Sequence, residues 1–136
     1  MKGYDNDPAA TRAVLKEGWL YTGDTGKIDR EGYLYLTGRK KELIVRGGEN
    51  IYPAEVEAVL HLHPRILEAA VIGVPDEYWG ESVKALVVLR PGETLGEEEV
   101  ITFCGLHLAH YKKPRLVEFV SDLPKNAAGK IMKREL

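Results

Sequence analysis

The sequence holds a single cysteine, Cys104, in 136 residues. That excludes a disulfide framework and leads us to expect a reducing, cytoplasmic setting. Long apolar runs are absent too. The longest, such as Ala85–Leu89, fall far short of the roughly 20 residues that a membrane helix needs, so no transmembrane segment is expected. The opening residues Met1-Lys2-Gly3-Tyr4-Asp5 contain no apolar signal region, and export is not expected. An excess of one charge is lacking as well. The formal net charge of −2 gives no bulk attraction for a nucleic-acid polymer.

What is present suits a soluble globular chain: 44% hydrophobic and 29% charged residues. The length allows one ordinary domain, or a smaller domain plus a tail from another. Basic residues gather at Arg39-Lys40-Lys41, at Lys112, Lys113 and Arg115, and at Lys130, Lys133 and Arg134. Acidic residues gather at Glu97-Glu98-Glu99. Taken singly, each cluster reads as a solvated face.

Residues 8–17 read as a helix, with Pro8 in the first turn and Gly18 just past the end. Trp19–Tyr21 reads as a short strand, and Lys27–Asp29 with Tyr33–Thr37 as a hairpin. Glu42–Arg46, the turn Gly47-Gly48-Glu49-Asn50 and Ile51-Tyr52 suggest a second pairing. Pro53 opens a helix to about Leu60, with Val56, Val59 and Leu60 on one stripe. Glu68–Val74 and Val83–Leu89 are β-rich. Thr94-x-x-Glu97 has the spacing of a capping box before a helix over about 95–108, and Glu97–Glu99 suit the positive end of its dipole. Leu116–Val120 is a last strand, Pro124–Gly129 a loop, and Lys130–Leu136 the start of a final helix. From residue 42 the order is ββαββαβ, an α+β fold in which helices cover a small sheet, preceded by a short β-rich stretch.

Four segments carry the chemistry. They are Gly3-Tyr4 with Pro8 and Thr11; Gly18–Asp24; Gly38–Ile44 with Gly47–Glu57; and Leu123–Ile131. Asp24 after a Thr-Gly turn either holds a pair of sugar hydroxyls or closes an Asx-type turn. Gly47-Gly48 either admits a ligand to bare backbone or simply turns a hairpin. Lys130 after Gly129 either presents an ammonium to a carboxylate or phosphate or is solvated. His107 with His110, and His61 with His63, are too few for a metal site, and none is expected. Cys104 reads as a small core residue, and Tyr78-Trp79-Gly80-Glu81 as packing. Lys112, Lys113 and Arg115 either meet the phosphates of a nucleotide or form a solvated face.

In this order and spacing the four segments resemble the acyl-adenylate-forming superfamily: acyl-CoA synthetases, aryl-CoA ligases, peptide-synthetase adenylation domains and firefly luciferase. The likeness covers nearly the whole chain. It is greatest to bacterial fatty-acid and aromatic-acid CoA ligases, through Gly38-Arg39-Lys40-Lys41-Glu42-Leu43-Ile44 and Glu49-Asn50-Ile51-Tyr52-Pro53-Ala54-Glu55-Val56-Glu57. The family's phosphate loop and acyl pocket belong to a large amino-terminal domain and have no counterpart here. Residues 1–39 are therefore expected to be the tail of that domain, and residues 40–136 the mobile carboxy-terminal domain.

The resemblance implies a reaction and a set of roles. The reaction is acid + ATP + CoA to acyl-CoA + AMP + pyrophosphate through acyl-AMP, with Mg²⁺ held mainly by the large domain. Asp24 would accept hydrogen bonds from the ribose hydroxyls of ATP and acyl-AMP, and Arg39 would support that nucleotide. Lys41 would be the hinge. Gly47 and Gly48 would line the channel for the pantetheine thiol. Lys130 would be the catalytic lysine of adenylation. The implied partners are the large amino-terminal domain, CoA and acyl-AMP, and the chain alone is expected to be inactive. Relatives of the luciferase kind carry a second lysine where Val45 stands, so no second-step lysine is assigned. Two alternatives stay open: an adenylation domain that loads a carrier protein, and a binding module without catalysis.

Overall fold

The computed structural model describes all residues, Met1–Leu136. They form two compact units, Met1–Lys41 and Glu42–Leu136, so the division falls two residues beyond the expected boundary.

The first unit begins with helix α1 (Pro8–Val14), capped by Asp7, whose Oδ1 accepts the Ala10 N–H at 2.8 Å. The helix stops three residues short of the expected 8–17. Strand β1 (Leu15–Lys16) pairs with β2 (Trp19–Leu20) through the two-residue turn Glu17-Gly18. Both turn residues have positive φ, 52° and 83°, as the twist-compatible hairpin turn requires. Gly18 therefore turns a hairpin and does not end a helix. The expected second hairpin is present as β3 (Asp24–Ile28) and β4 (Leu34–Arg39). Asp29 Oδ1 organises its loop by accepting the Glu31 and Tyr33 N–H groups, both at 2.9 Å. No residue of this unit is buried, and Trp19, Ile28, Leu34 and Leu36 stand exposed.

The second unit is built on a long hairpin. Strands β7 (Ile66–Asp76) and β8 (Gly80–Leu89) pair antiparallel along their length. The other edge of β8 is shared. Near its start β5 (Ile44–Arg46) pairs through Arg46 and Gly80, and β5 in turn carries β6 (Glu49–Ile51). Further along, β9 (Leu116–Phe119) runs parallel to β8. Strand alternation decides the layers. Ala69, Val71, Val83, Ala85 and Val87 face α2 (Pro53–Leu60) and α3 (Glu97–His107), packing with Val56, Leu60, Val100 and Cys104. Ala70, Leu86 and Val88 face the other way. They are covered by Leu123, Ile131 and Leu136 of the carboxy-terminal segment. Helices thus cover one face of the sheet, and an irregular segment covers the other.

Two local expectations are corrected. The cap of α3 is Gly96, not Thr94. Gly96 is extended (φ −87°, ψ 154°), and its N–H donates to Glu99 Oε2 at 2.8 Å. The Thr94 carbonyl instead accepts from Arg65 Nη1 at 2.7 Å, which holds that residue outside the helix. The end of the chain forms only a 3-10 turn, Lys133–Glu135, because Ile131 and Leu136 spread onto the sheet. No helix is long and apolar enough to cross a membrane.

Candidate functional site

Asp24 and Arg39 are brought together. They stand opposite each other in the β3–β4 register, and Arg39 Nε lies 3.3 Å from Asp24 Oδ1. The Asp24 N–H is taken by Thr22 Oγ1 at 3.1 Å, and Lys40 N–H donates to the Gly23 carbonyl at 2.8 Å. The Asp24 carboxylate thus serves Arg39 and is partly open to solvent, a usable acceptor for a hydroxyl pair.

Lys41 is exposed in the 3-10 turn Lys40–Glu42 and is the last residue of the first unit. Its neighbour Glu42 is engaged: Glu42 Oε2 meets Lys133 Nζ at 3.2 Å. Lys133 also reaches Glu57 Oε1 on α2 at 2.7 Å, and the same oxygen accepts the Val71 N–H of β7 at 2.8 Å.

Gly47 and Gly48 form the two-residue turn between β5 and β6, with φ of 56° and 87°. They differ in surroundings. The Gly47 N–H donates to the Trp79 carbonyl at 2.8 Å, and Trp79 lies against it. Gly48 has open space on its side-chain face, which leaves bare backbone accessible. The Arg46 guanidinium stacks 4.8 Å from the Trp79 ring. Glu81 Oε2 accepts the Val45 N–H at 2.6 Å. Trp79 and Glu81 pack on this turn, as expected, whereas Tyr78 is 82% exposed.

Lys130 sits at the end of a tight loop. The loop is closed by the Lys125–Ile131 bridge and by Asn126 N–H to the Lys130 carbonyl at 2.9 Å. Asn126 Oδ1 accepts the Ala128 and Lys130 N–H groups at 3.0 and 2.9 Å. This Asx arrangement places Gly129 at φ 77°. The lysines on either side are engaged: Lys125 with Glu68 at 2.7 Å and Asp122 at 3.2 Å, Lys133 with Glu57 and Glu42. Lys130 is exposed and forms no ion pair.

The Gly47–Gly48 turn and the Lys130 loop belong to opposite ends of the β7–β8 hairpin. The turn is tied to Trp79 at the tip. The loop is tied through Lys125 to Glu68, eight positions back from Asp76 along β7. At ~3.3 Å per residue these attachments are roughly 26 Å apart.

Lys112, Cys104 and His63 have structural roles. Lys112 Nζ is held by both oxygens of Glu55 at 2.7 and 2.8 Å. Cys104 is fully buried, and burial pushes its thiol up to about 11. His63 is buried edge-on to Phe103, with ring centroids 4.8 Å apart, and burial pushes it below its ordinary value. The sequence reading missed Asn126, Lys125, Lys133 and Glu57 as supports. Asn126, three residues before Gly129, carried a turn signal. The ion pairs of Lys125 with Glu68 and of Lys133 with Glu57 and Glu42 carried none, since those partners lie far away in sequence.

The exposed lysine on its Asx-organised loop and the open Gly-Gly turn are carried on one small α+β domain, whose fold matches the carboxy-terminal domain of adenylate-forming enzymes. Residues 55–130 match the family described as "AMP-binding enzyme C-terminal domain", and the chain belongs to that family. A long-chain-fatty-acid–CoA ligase of Bacillus subtilis (strain 168) is 53% identical over 100% of this chain, which covers 24% of that protein. The o-succinylbenzoate CoA synthetase of Bacillus subtilis, solved with its acyl-adenylate intermediate OSB-AMP, superposes with a TM-score of 0.92. It is 43% identical, over 99% of this chain and 28% of that one. ATP-bound MatB from Rhodopseudomonas palustris gives a TM-score of 0.86 at 41% identity, over 98% of this chain and 27% of that one. The chain spans about a quarter of the length of these relatives.

Proposed function

We propose that this chain is the carboxy-terminal portion of an ATP-dependent acid–CoA ligase of the cytoplasm, working with a larger amino-terminal domain. The carboxylate of the acid attacks the α-phosphorus of ATP and pyrophosphate leaves. The CoA sulfur then attacks the acyl carbonyl carbon and AMP leaves. The first unit supports the division of labour. Two hairpins without a buried residue cannot hold themselves together in water, so Met1–Lys41 needs a larger body to complete it.

Lys130 is the adenylation lysine. Joining a carboxylate to a phosphate brings anions together, and an ammonium at the meeting oxygens lowers that barrier. An unpaired lysine can supply it; the ion-paired Lys125 and Lys133 cannot without breaking their bonds. Asp24 and Arg39 hold the ribose and support the nucleotide. Gly48, bare beside open space, lines the path of the pantetheine thiol, with Gly47 behind it. Mg²⁺ would neutralise the leaving pyrophosphate, but this chain brings together no group of three or more His, Cys, Asp or Glu side chains. On this reading the Mg²⁺ ligands belong mainly to the larger domain.

The observation that carries this reading is the attachment of the two faces at opposite ends of one long hairpin. Surfaces anchored at points roughly 26 Å apart along one hairpin are poorly placed to serve one reacting carbonyl together. A body hinged at Lys41 can present them in turn. The test is Lys130→Ala in the full-length enzyme, with the half-reactions measured apart. ATP–pyrophosphate exchange should fall about 10²–10³-fold, the size of removing one preorganised charge-stabilising donor. Thioester formation from supplied acyl-AMP should be kept. Equal loss of both would make Lys130 structural or shared.

A further inference from the structure

We infer that Lys133 is a positioning residue for adenylation: its ion pairs with Glu57 and Glu42 hold the segment that carries Lys130 in register with the start of the mobile domain. The inference rests on the adenylation role proposed for Lys130.

Apolar packing alone does not set that register. Ile131 and Leu136 lie on the second face of the sheet beside Leu86, Val88 and Leu123. Such contacts are non-directional and tolerate sliding along an apolar strand. The backbone closes the loop on itself, through the Lys125–Ile131 bridge, Asn126 N–H to the Lys130 carbonyl at 2.9 Å and Met132 N–H to the Pro124 carbonyl at 2.8 Å, which fixes its shape without tying it to the sheet. Direction comes from charge. Lys125 pins the incoming side to Glu68 of β7, and Lys133 pins the outgoing side. Lys133 reaches Glu57 at 2.7 Å and Glu42 at 3.2 Å, with only 18% of the lysine and Glu57 side chains exposed.

Glu57 joins three elements at one oxygen: α2, which bears it, the Val71 N–H of β7, and Lys133. Glu42 adds the residue that follows Lys41. A mostly desolvated pair of this kind adds little net stability, because desolvation offsets the Coulomb gain. Its effect is geometric, since one ammonium 2.7 and 3.2 Å from carboxylates on two other segments ties both of them to its own. A displacement of about 1 Å in a charge-stabilising group can cost of order 10²-fold in rate. The segment from Gly129 to Lys133 therefore moves as one body with Glu42 when the domain turns about Lys41.

The test uses the full-length enzyme and three variants beside Lys130→Ala. Lys133→Met keeps the apolar stem and removes the charge. We expect ATP–pyrophosphate exchange to fall about 10–100-fold in kcat, with the KM for ATP changed less than about threefold and thioester formation from supplied acyl-AMP within about twofold. Lys133→Arg should restore most of the exchange. Glu57→Gln in the Lys133→Met background should add little, because the two act as one unit. Trypsin should cut after Lys130 faster in Lys133→Met than in the parent, an outcome independent of catalysis. Exchange within twofold of the parent, equal loss of both half-reactions, or no recovery with arginine would each overturn the inference. If Lys130→Ala abolishes exchange while Lys133→Met does not, only the positioning role fails. If Lys130→Ala is itself harmless, the adenylation reading fails and takes this inference with it.

Discussion

Trp79 leaves no room for a side chain on Gly47: a Cβ there would lie 2.6 Å from Trp79 Cε3. The same glycine is at φ 56° and is bonded to the Trp79 carbonyl. Its neighbour Gly48, at φ 87°, would meet nothing within 4 Å. One turn therefore contains a packed glycine and an open one.

This contrast predicts different costs for the same substitution. Gly48→Ala should destabilise by about 1–2 kcal/mol, the strain of an L-residue at positive φ. Gly47→Ala should cost roughly 2–4 kcal/mol, because overpacking against the indole is added to that strain. Trp79→Ala should recover part of the Gly47→Ala loss and none of the Gly48→Ala loss. Urea midpoints of the six proteins, parent and combinations, decide it. Equal costs at the two glycines would remove Trp79 from the shape of the turn.

Asp76 predicts an acid dependence of stability. Its carboxylate accepts from the Ser82 hydroxyl and from the Trp79 and Tyr78 N–H groups, and these hold it below the usual carboxylate range, Ser82 most of all. A depressed folded pKa contributes stability above the unfolded value, about 3.9. That contribution is lost as pH falls through the folded pKa. Asp76→Asn should therefore lower the urea midpoint at pH 7, and the difference from the parent should shrink below pH 4. His63, pushed down by burial, destabilises on protonation in acid too, but equally in both proteins. Parallel curves from pH 7 to pH 2 would show that the carboxylate charge at Asp76 does not matter to the fold.

Lys41 predicts a separation of half-reactions. A hinge must change φ and ψ, whereas proline fixes φ near −65° and restricts the preceding residue, Lys40. In the full-length enzyme Lys41→Pro should trap one orientation, so that pyrophosphate exchange and CoA-dependent turnover part by at least about tenfold. Lys41→Ala should leave both within a few-fold, because alanine leaves the backbone free. A melting curve is the control, since β5 begins at Ile44. Equal loss of both steps in a protein that melts normally would remove Lys41 from the hinge.

Elements with a short-range cause were legible in the sequence. Helix α2 occupies Pro53–Leu60 as expected, with Val56 and Leu60 inward. The Gly47-Gly48 turn was expected from glycine's access to positive φ, and it stands between β5 and β6. Where two local signals competed, the sequence misled. Pro8 and Gly18 bracket a plausible helix, yet Glu17-Gly18 also satisfies a two-residue hairpin, and pairing of Leu15 with Leu20 won. Thr94-x-x-Glu97 matches a capping box, but a distant residue, Arg65, holds the Thr94 carbonyl and the cap moves to Gly96.

By itself the sequence determined the alternation that puts Val71, Ala85 and Val87 on one face of the sheet and Ala70, Leu86 and Val88 on the other. It also determined the order of the segments that bear Asp24, Lys41, Gly48 and Lys130, because residue type and spacing are local properties of a chain. Tertiary structure alone decided that β9 runs parallel beside β8, and that the second face is covered by Leu123, Ile131 and Leu136. It also decided which lysine is left unpaired. Lys125, Lys130 and Lys133 are chemically alike and only eight positions separate the first from the last. Their fates differ because Glu68, Glu57 and Glu42, distant in sequence, come within 4 Å of two of them and not of the third. A charge on a flexible stem has no fate until folding chooses its neighbours.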